Sequence, residues 1–180
     1  ADAVKALTKL REVVAKHEMF RALARQGALI DHLWTQAEDG VLRAEQILAA
    51  VLEGLGSIWP GRIVLDGVPL GDVWRHPKAG GSGATSGLVP FHKLSQWLSY
   101  SLLYPLRISG LQIVELDALT GLAEYRNGGL FVDGGVLVPK HQGVLTEAHE
   151  VGSELVVEWR ALTVALLDSV APLVRNALGT

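Results

Sequence analysis

With 180 residues the chain is long enough for one domain with a real hydrophobic core, and 49% hydrophobic against 19% charged residues exclude general disorder. A formal net charge of -3 leaves no basic footprint for a nucleic-acid backbone. Cysteine is absent, which excludes disulfides, thiolate nucleophiles and Cys-ligated zinc, and fits a reducing compartment.

The first residues, Ala1-Asp2-Ala3-Val4-Lys5, do not read as a signal peptide, and no run approaches the roughly 18 uninterrupted apolar residues of a membrane span, so a soluble, cytoplasmic protein is expected. Over residues 3–25 apolar positions recur at helical spacing between Lys5, Lys9, Arg11, Glu12 and Lys16, which predicts an amphipathic helix with His17 near its edge. A second helical piece carries Leu29, Ile30, Leu33 and Trp34. A third is expected from Val41 onward, with Val41, Ala44, Leu48, Val51 and Leu55 on one side, ending at Gly54 and Gly56.

From residue 57 the period changes. Ile63-Val64-Leu65 and Val68-Pro69-Leu70 around Asp66-Gly67 predict a short hairpin, with Pro69 confining its strand to an edge. The glycine-rich run 80–87 follows Trp74-Arg75-His76-Pro77. Backbone N–H groups of such a loop leading into a helix, Gly81 and Gly83 among them, can cradle a phosphate beside Arg75 and His76, although the Gly-Lys-Ser/Thr ending of a nucleotide P-loop is missing. A flexible linker has the same composition.

Pro90 suits the first position of a helix over residues 91–103, which Pro105 should stop. At 100° per residue His92, Gln96 and Ser99 share one face and Lys93, Trp97 and Tyr100 its neighbour, which reads as the wall of a pocket. Residues 111–116 and 130–138 are expected to pair as strands flanking a loop built on Glu124, Tyr125, Arg126 and Asn127. From residue 153 the apolar spacing predicts a helix buried almost all round, in which Glu158 and Arg160 need partners.

No motif supports an activated serine, and no histidine pair has helical zinc spacing. General acid/base chemistry on a small polar substrate is the reading that remains. Glu124 beside Tyr125 is a candidate for a raised pKa and Asp133 is the second carboxylate; Arg126 and Asn127 offer a donor fork and an amide, with His92 and Gln96 completing the site. A metal held by His76, His92, Glu124 and Asp133 is the competing use of these groups, and a purely structural ion-pair network of Glu124, Arg126, Glu158 and Arg160 is another.

The stretches GVPLGDVWRHP (67–77), LVPFHKLSQWLSYSLLYPL (88–106), LTGLAEYRNGG (119–129) and VVEWRALTVALLD (156–168) together resemble a family of uncharacterised domains linked to a uracil-breakdown route, represented by the fourth protein of that pathway in yeasts. Its members are longer, so the chain resembles their carboxyl-terminal part. The resemblance implies action on a ring-opened intermediate such as an N-ribosyl urea or its phosphate; hydrolysis of its N-glycosidic or ureido bond, with Glu124 and Asp133 as the carboxylate pair, is the reaction expected from the residues.

The expected architecture is α+β, mostly helical, one domain with a few short strands. Residues 1–56 are helical, 57–90 a hairpin and glycine-rich loop, 91–106 a helix, 107–142 strands around the Glu-Tyr-Arg-Asn loop, and 143–180 a buried helix. Expected catalytic residues are Glu124, Asp133 and His92. Substrate is expected to meet Arg126, Tyr125, Asn127, Gln96, Lys93, Trp97, Arg75, His76, Gly81 and Gly83. No resident cofactor is expected, a divalent metal being the alternative. The expected partner is a small, phosphorylated or unphosphorylated substrate, with an amino-terminal part or a second copy as macromolecular partner, and neither nucleic acid nor membrane. Two further functions stay open: a non-catalytic pyrimidine-derivative binding subunit, and a metal-dependent hydrolase.

Overall fold

The computed structural model describes residues 8–10, 12–13, 15–16 and 27–179. The fold is α+β and mostly helical, and it divides into two compact units that are each discontinuous in sequence. The first takes the chain to residue 72 and returns for 92–119; the second takes 73–91 and 120–180.

In the first unit, residues 8–10, 12–13 and 15–16 are helical, and Leu10 and Val13 pack against the core. The rest of the predicted amino-terminal helix, His17 included, lies outside the described residues. Helix α1 (Ala28–Gln36) turns Leu29 and Leu33 inward. Val41 does not begin a helix as expected: β1 (Val41–Arg43) comes first, then α2 (Ala44–Leu55). Arg43 N–H donates to the Gln46 side chain at 2.9 Å, which ties off one of the unpaired donors at the helix start. The expected hairpin is present, with β2 (Val64–Leu65) antiparallel to β3 (Val68–Pro69). Its turn residues Asp66 (φ 49) and Gly67 (φ 81) both take the left-handed conformation that a two-residue turn of this twist requires.

Helix α3 (Lys93–Ile108) starts two residues later than expected, because Pro90 ends a strand and His92 is held at φ 46. It runs past Pro105. That ring removes one backbone donor, yet the last turn holds because Leu106 is fully buried. The helix then feeds β6 (Gln112–Val114), which pairs in parallel with β1. Residues 111–116 therefore pair with Val41–Arg43 and not with residues 130–138. One cluster of Leu29, Leu33, Leu42, Ile47, Val51 and Leu106, with their neighbours, forms this unit's core.

In the second unit, β4 (Val73–Arg75) and β5 (Leu88–Pro90) form an antiparallel hairpin whose tip is the glycine-rich run. Residues 125–133, expected as loop and strand, are helix α4 (Tyr125–Asp133). Gly128 lies within it because the indole of Trp159 passes too close for any side chain: a Cβ there would meet Trp159 Cζ2 at 2.9 Å and Thr163 Oγ1 at 2.9 Å. Helix α5 (Glu154–Leu178) begins where Ser153 Oγ accepts from Val156 N–H at 3.4 Å and ends at Gly179 (φ 70). Pro172 does not end it. Nor is it buried almost all round: Val157 and Thr163 are its buried residues, since within the unit mainly α4, β4 and the segment at Gly121 pack on it. By length and composition alone, α5 is a helix long and apolar enough to cross a membrane.

Candidate functional site

The second unit brings one imidazole and two carboxylates together. His76 directly follows β4, and its backbone N–H donates to Gly87 O at 2.9 Å across the hairpin. Lys78 N–H donates to His76 Nδ1 at 3.2 Å, so the ring is held from one side. The residue is 8% exposed. Its other nitrogen, Nε2, is buried and has no hydrogen-bond partner among the described residues.

Facing Nε2 is the first turn and a half of α5. Glu154 and Glu158 are four residues apart, so they stack on one helix face. Glu158 Oε2 is 3.4 Å from His76 Nε2 and Glu154 Oε1 is 3.8 Å away. The shorter approach is within ion-pairing distance but does not form a hydrogen bond. Both carboxylates are about half exposed, and the three ligand atoms lie within 4.8 Å of one another. Burial of an unpaired imidazole nitrogen costs about 1–3 kcal/mol unless something occupies it. The arrangement can bind a cation or work on a polar bond brought to its open side.

The next residues of α5 hold it in place. Arg160 lies over the Phe91 ring, 4.0 Å from the centroid. Trp159 Nε1 donates to Gly128 O at 3.2 Å, its ring sits 6.2 Å from that of Tyr125, and Thr163 Oγ1 donates to Trp159 O at 2.7 Å. Lower on the same helix Asp168 accepts from Gly121 N–H at 3.2 Å.

The expected site residues are distributed differently. Glu124 occupies the N-cap of α4, where its N–H donates to Asn127 Oδ1 at 2.8 Å; Asn127 Nδ2 donates in turn to Leu122 O at 2.8 Å. Asn127 is thereby engaged in starting a helix. Glu124, Tyr125 and Arg126 are exposed. Asp133 ends the same helix, so the axial rise from Glu124 is about 13 Å. Two carboxylates that share one glycosidic bond stand roughly 5–9.5 Å apart.

Arg75 donates to Ser86 O at 3.1 Å. The N–H groups of Thr85, Ser86 and Gly87 go to Ser82, Gly83 and Gly80 carbonyls. These donors close the loop on itself, and it leads into β5 and not into a helix N-terminus. Gly81 (φ 101) and Gly83 (φ 59) supply its left-handed positions.

His92, Lys93, Gln96 and Trp97 belong to the first unit. His92 and Lys93 N–H both reach Asp72, at its carbonyl (3.2 Å) and its Oδ2 (3.1 Å), which caps α3. Burial pushes the His92 pKa down, with Asp72 partly opposing. On the face expected to line a pocket Gln96 and Ser99 are buried, with Ser99 Oγ donating to Ser95 O at 2.9 Å, while on the neighbouring face Trp97 is 58% exposed.

Of the expected residues, only His76 thus lies in the cluster. Glu154 and Glu158 were not among them. The available signals were a Glu at two positions one helical turn apart and the prior inference that Glu158 needed a partner.

A family model described as "Protein of unknown function (DUF1688)" matches residues 1–180. Over 186 aligned residues the chain is 40% identical to "Uracil catabolism protein 4" of Lachancea kluyveri, covering 89% of this chain and 42% of that protein. It is 44% identical over 122 residues to "Protein urg3" of Schizosaccharomyces pombe, covering 67% of this chain and 29% of that one. The chain spans less than half the length of these curated relatives. No solved structure matches.

Proposed function

The chain belongs to the family of unknown function DUF1688 along its whole length, and from that membership and the geometry of the second unit we propose that it serves uracil catabolism as a hydrolase of a ring-opened, ribosylurea-type intermediate. The relative whose name carries the pathway is 40% identical over 89% of this chain. The observation that carries the site is the buried His76 Nε2, without a hydrogen bond, facing two half-exposed carboxylates at 3.4 and 3.8 Å.

The reaction is a water addition across a C–N bond. In the N-glycosidic case the bond from the sugar C1′ to the urea nitrogen breaks, a bond from C1′ to the water oxygen forms, and the nitrogen leaves with a proton that water gave up. That needs an acceptor for the water's proton and a fixed polar environment for the charge that develops. Glu154 and Glu158 are open to solvent on the side where water arrives. His76, held by Lys78 N–H and by the hairpin, fixes the third polar atom.

The test is turnover of ribosylurea and its phosphate by the chain, read as released urea for N-glycosidic cleavage or ammonia for ureido cleavage. Glu158→Gln should reduce the rate by about 10²-fold or more while leaving the far-UV circular dichroism unchanged. Release of neither product, or unchanged turnover in Glu158→Gln, refutes the reading.

A further inference from the structure

We propose that His76, Glu154 and Glu158 hold one divalent transition-metal ion, of the Zn²⁺ or Mn²⁺ class. This rests on the reading above that their cluster is the working site, and states how the three act together. Two observations carry it independently. The first is the donor set itself, one imidazole nitrogen and two carboxylate oxygens within 4.8 Å of one another. The second is the buried Nε2 of a residue only 8% exposed, which makes no hydrogen bond among the described residues and lies 3.4 and 3.8 Å from those oxygens.

The distances fit a cation better than they fit a hydrogen bond. Bonds of about 2.1 Å from a metal to both His76 Nε2 and Glu158 Oε2 would convert their 3.4 Å separation into an angle of about 110° at the metal. The 3.8 Å to Glu154 corresponds to about 130°. The first is tetrahedral and the second within reach of a small rotation about the glutamate's side-chain bonds. Glu154 and Glu158 rise from the start of a capped helix, and His76 is fixed by the β4–β5 hairpin, so two rigid elements set the spacing. Three protein ligands leave the remaining coordination positions on the exposed carboxylate side, the pattern of a site that also takes water or substrate. The mixed N/O set suits borderline ions over calcium or magnesium, which take oxygen alone.

Lys78 makes a specific demand. Its N–H donates to Nδ1, which puts the ring proton on Nε2. A cation at Nε2 takes that proton's place; the ring is then protonated at Nδ1, and the Lys78 N–H must release it. Metal binding is therefore coupled to a rearrangement of the turn after His76, a readout separate from any activity.

The experiment is calorimetric titration of the tag-free chain, dialysed against EDTA, with ZnCl₂ and separately with MnCl₂. The Zn²⁺ titration is repeated with ¹⁵N NMR of the His76 ring and the Lys78 amide. One equivalent is expected to bind, with Glu154→Gln and Glu158→Gln each weakening it at least about ten-fold. These residues are half exposed, so the variants should keep the fold. The His76 Nε2 and Lys78 resonances should move together. Absence of stoichiometric binding, binding unchanged in both variants, or a His76 Nε2 resonance that stays put overturns the proposal. Metal bound through these residues with no urea or ammonia released upholds the site and removes the hydrolase. Product release that persists in EDTA, with no metal bound, upholds the hydrolase and overturns the site.

Discussion

Gly128 and Gly129 are adjacent in α4, and replacing each by alanine separates packing from helix propensity. A Cβ at Gly129 meets nothing within 4 Å, whereas at Gly128 it meets Thr163 Oγ1 and Trp159 Cζ2 at 2.9 Å and Trp159 Cε2 at 3.0 Å. Alanine gains about 1 kcal/mol over glycine inside a helix, so Gly129→Ala should stabilise the second unit by about 0.5–1 kcal/mol. Gly128→Ala has the same gain, set against about 1–3 kcal/mol for overpacking. It also strains the 3.2 Å bond from Trp159 Nε1 to Gly128 O, worth about 1 kcal/mol. The net is a loss of about 1–3 kcal/mol, and the two variants should differ by about 2–4 kcal/mol. Urea denaturation followed by circular dichroism and tryptophan fluorescence measures both. If the two alanines shift the midpoint alike, the close approach of α4 and α5 is wrong.

At Gly121 a Cβ would meet Leu167 Cβ at 2.8 Å and Cδ1 at 3.1 Å, so Gly121→Ala should cost about 1–3 kcal/mol; alanine at 167 would keep the nearer atom, so the partner variant is Leu167→Gly, and strict additivity in that double-mutant cycle would contradict the contact. His92, held below its ordinary 6.5 by burial, binds fewer protons folded than unfolded, so its stability contribution is complete above pH 6.5 and declines as pH falls through that value. Asparagine tolerates the φ of 46 at this position, and His92→Asn should flatten the dependence of stability on pH between about 7.5 and 5.5, as followed by thermal unfolding. A slope identical to the parent would mean that His92 titrates in the folded state as it does in the unfolded one.

Where local chemistry decides the backbone, the sequence was readable. Asp66-Gly67 between β-branched residues announced its hairpin, and the apolar spacing after Ser153 announced α5. Where tertiary contacts decide, it was not. Leu130-Phe131-Val132 has strand-like residues and follows a double glycine, yet it is helical because Gly128 gives passage to an indole from a helix 31 residues further on. Val41-Leu42-Arg43 continues the apolar spacing of α2 but is drawn into a strand by residues 112–114. The cluster of His76, Glu154 and Glu158 joins a hairpin to a helix start across a long stretch of chain. No spacing motif encodes it. The density of polar groups at residues 124–127 drew attention to a helix cap instead: two of the four residues bond to each other and to the backbone.

The parallel pairing of β1 with β6 also sets an order on synthesis. Val41 is partnered by Gln112, so β1 has its neighbour only when some 70 further residues have been made. Bringing such distant segments together costs closure entropy that no local contact returns, and it favours slow folding over the fast collapse of a helical bundle. At about 5–20 residues per second, a ribosome leaves β1 waiting roughly 4–14 s. During that interval a nascent chain carries Leu42 and the α2 face of Ile47 and Val51 without their final cover, while both strands of the other unit's hairpin are made before β6 is.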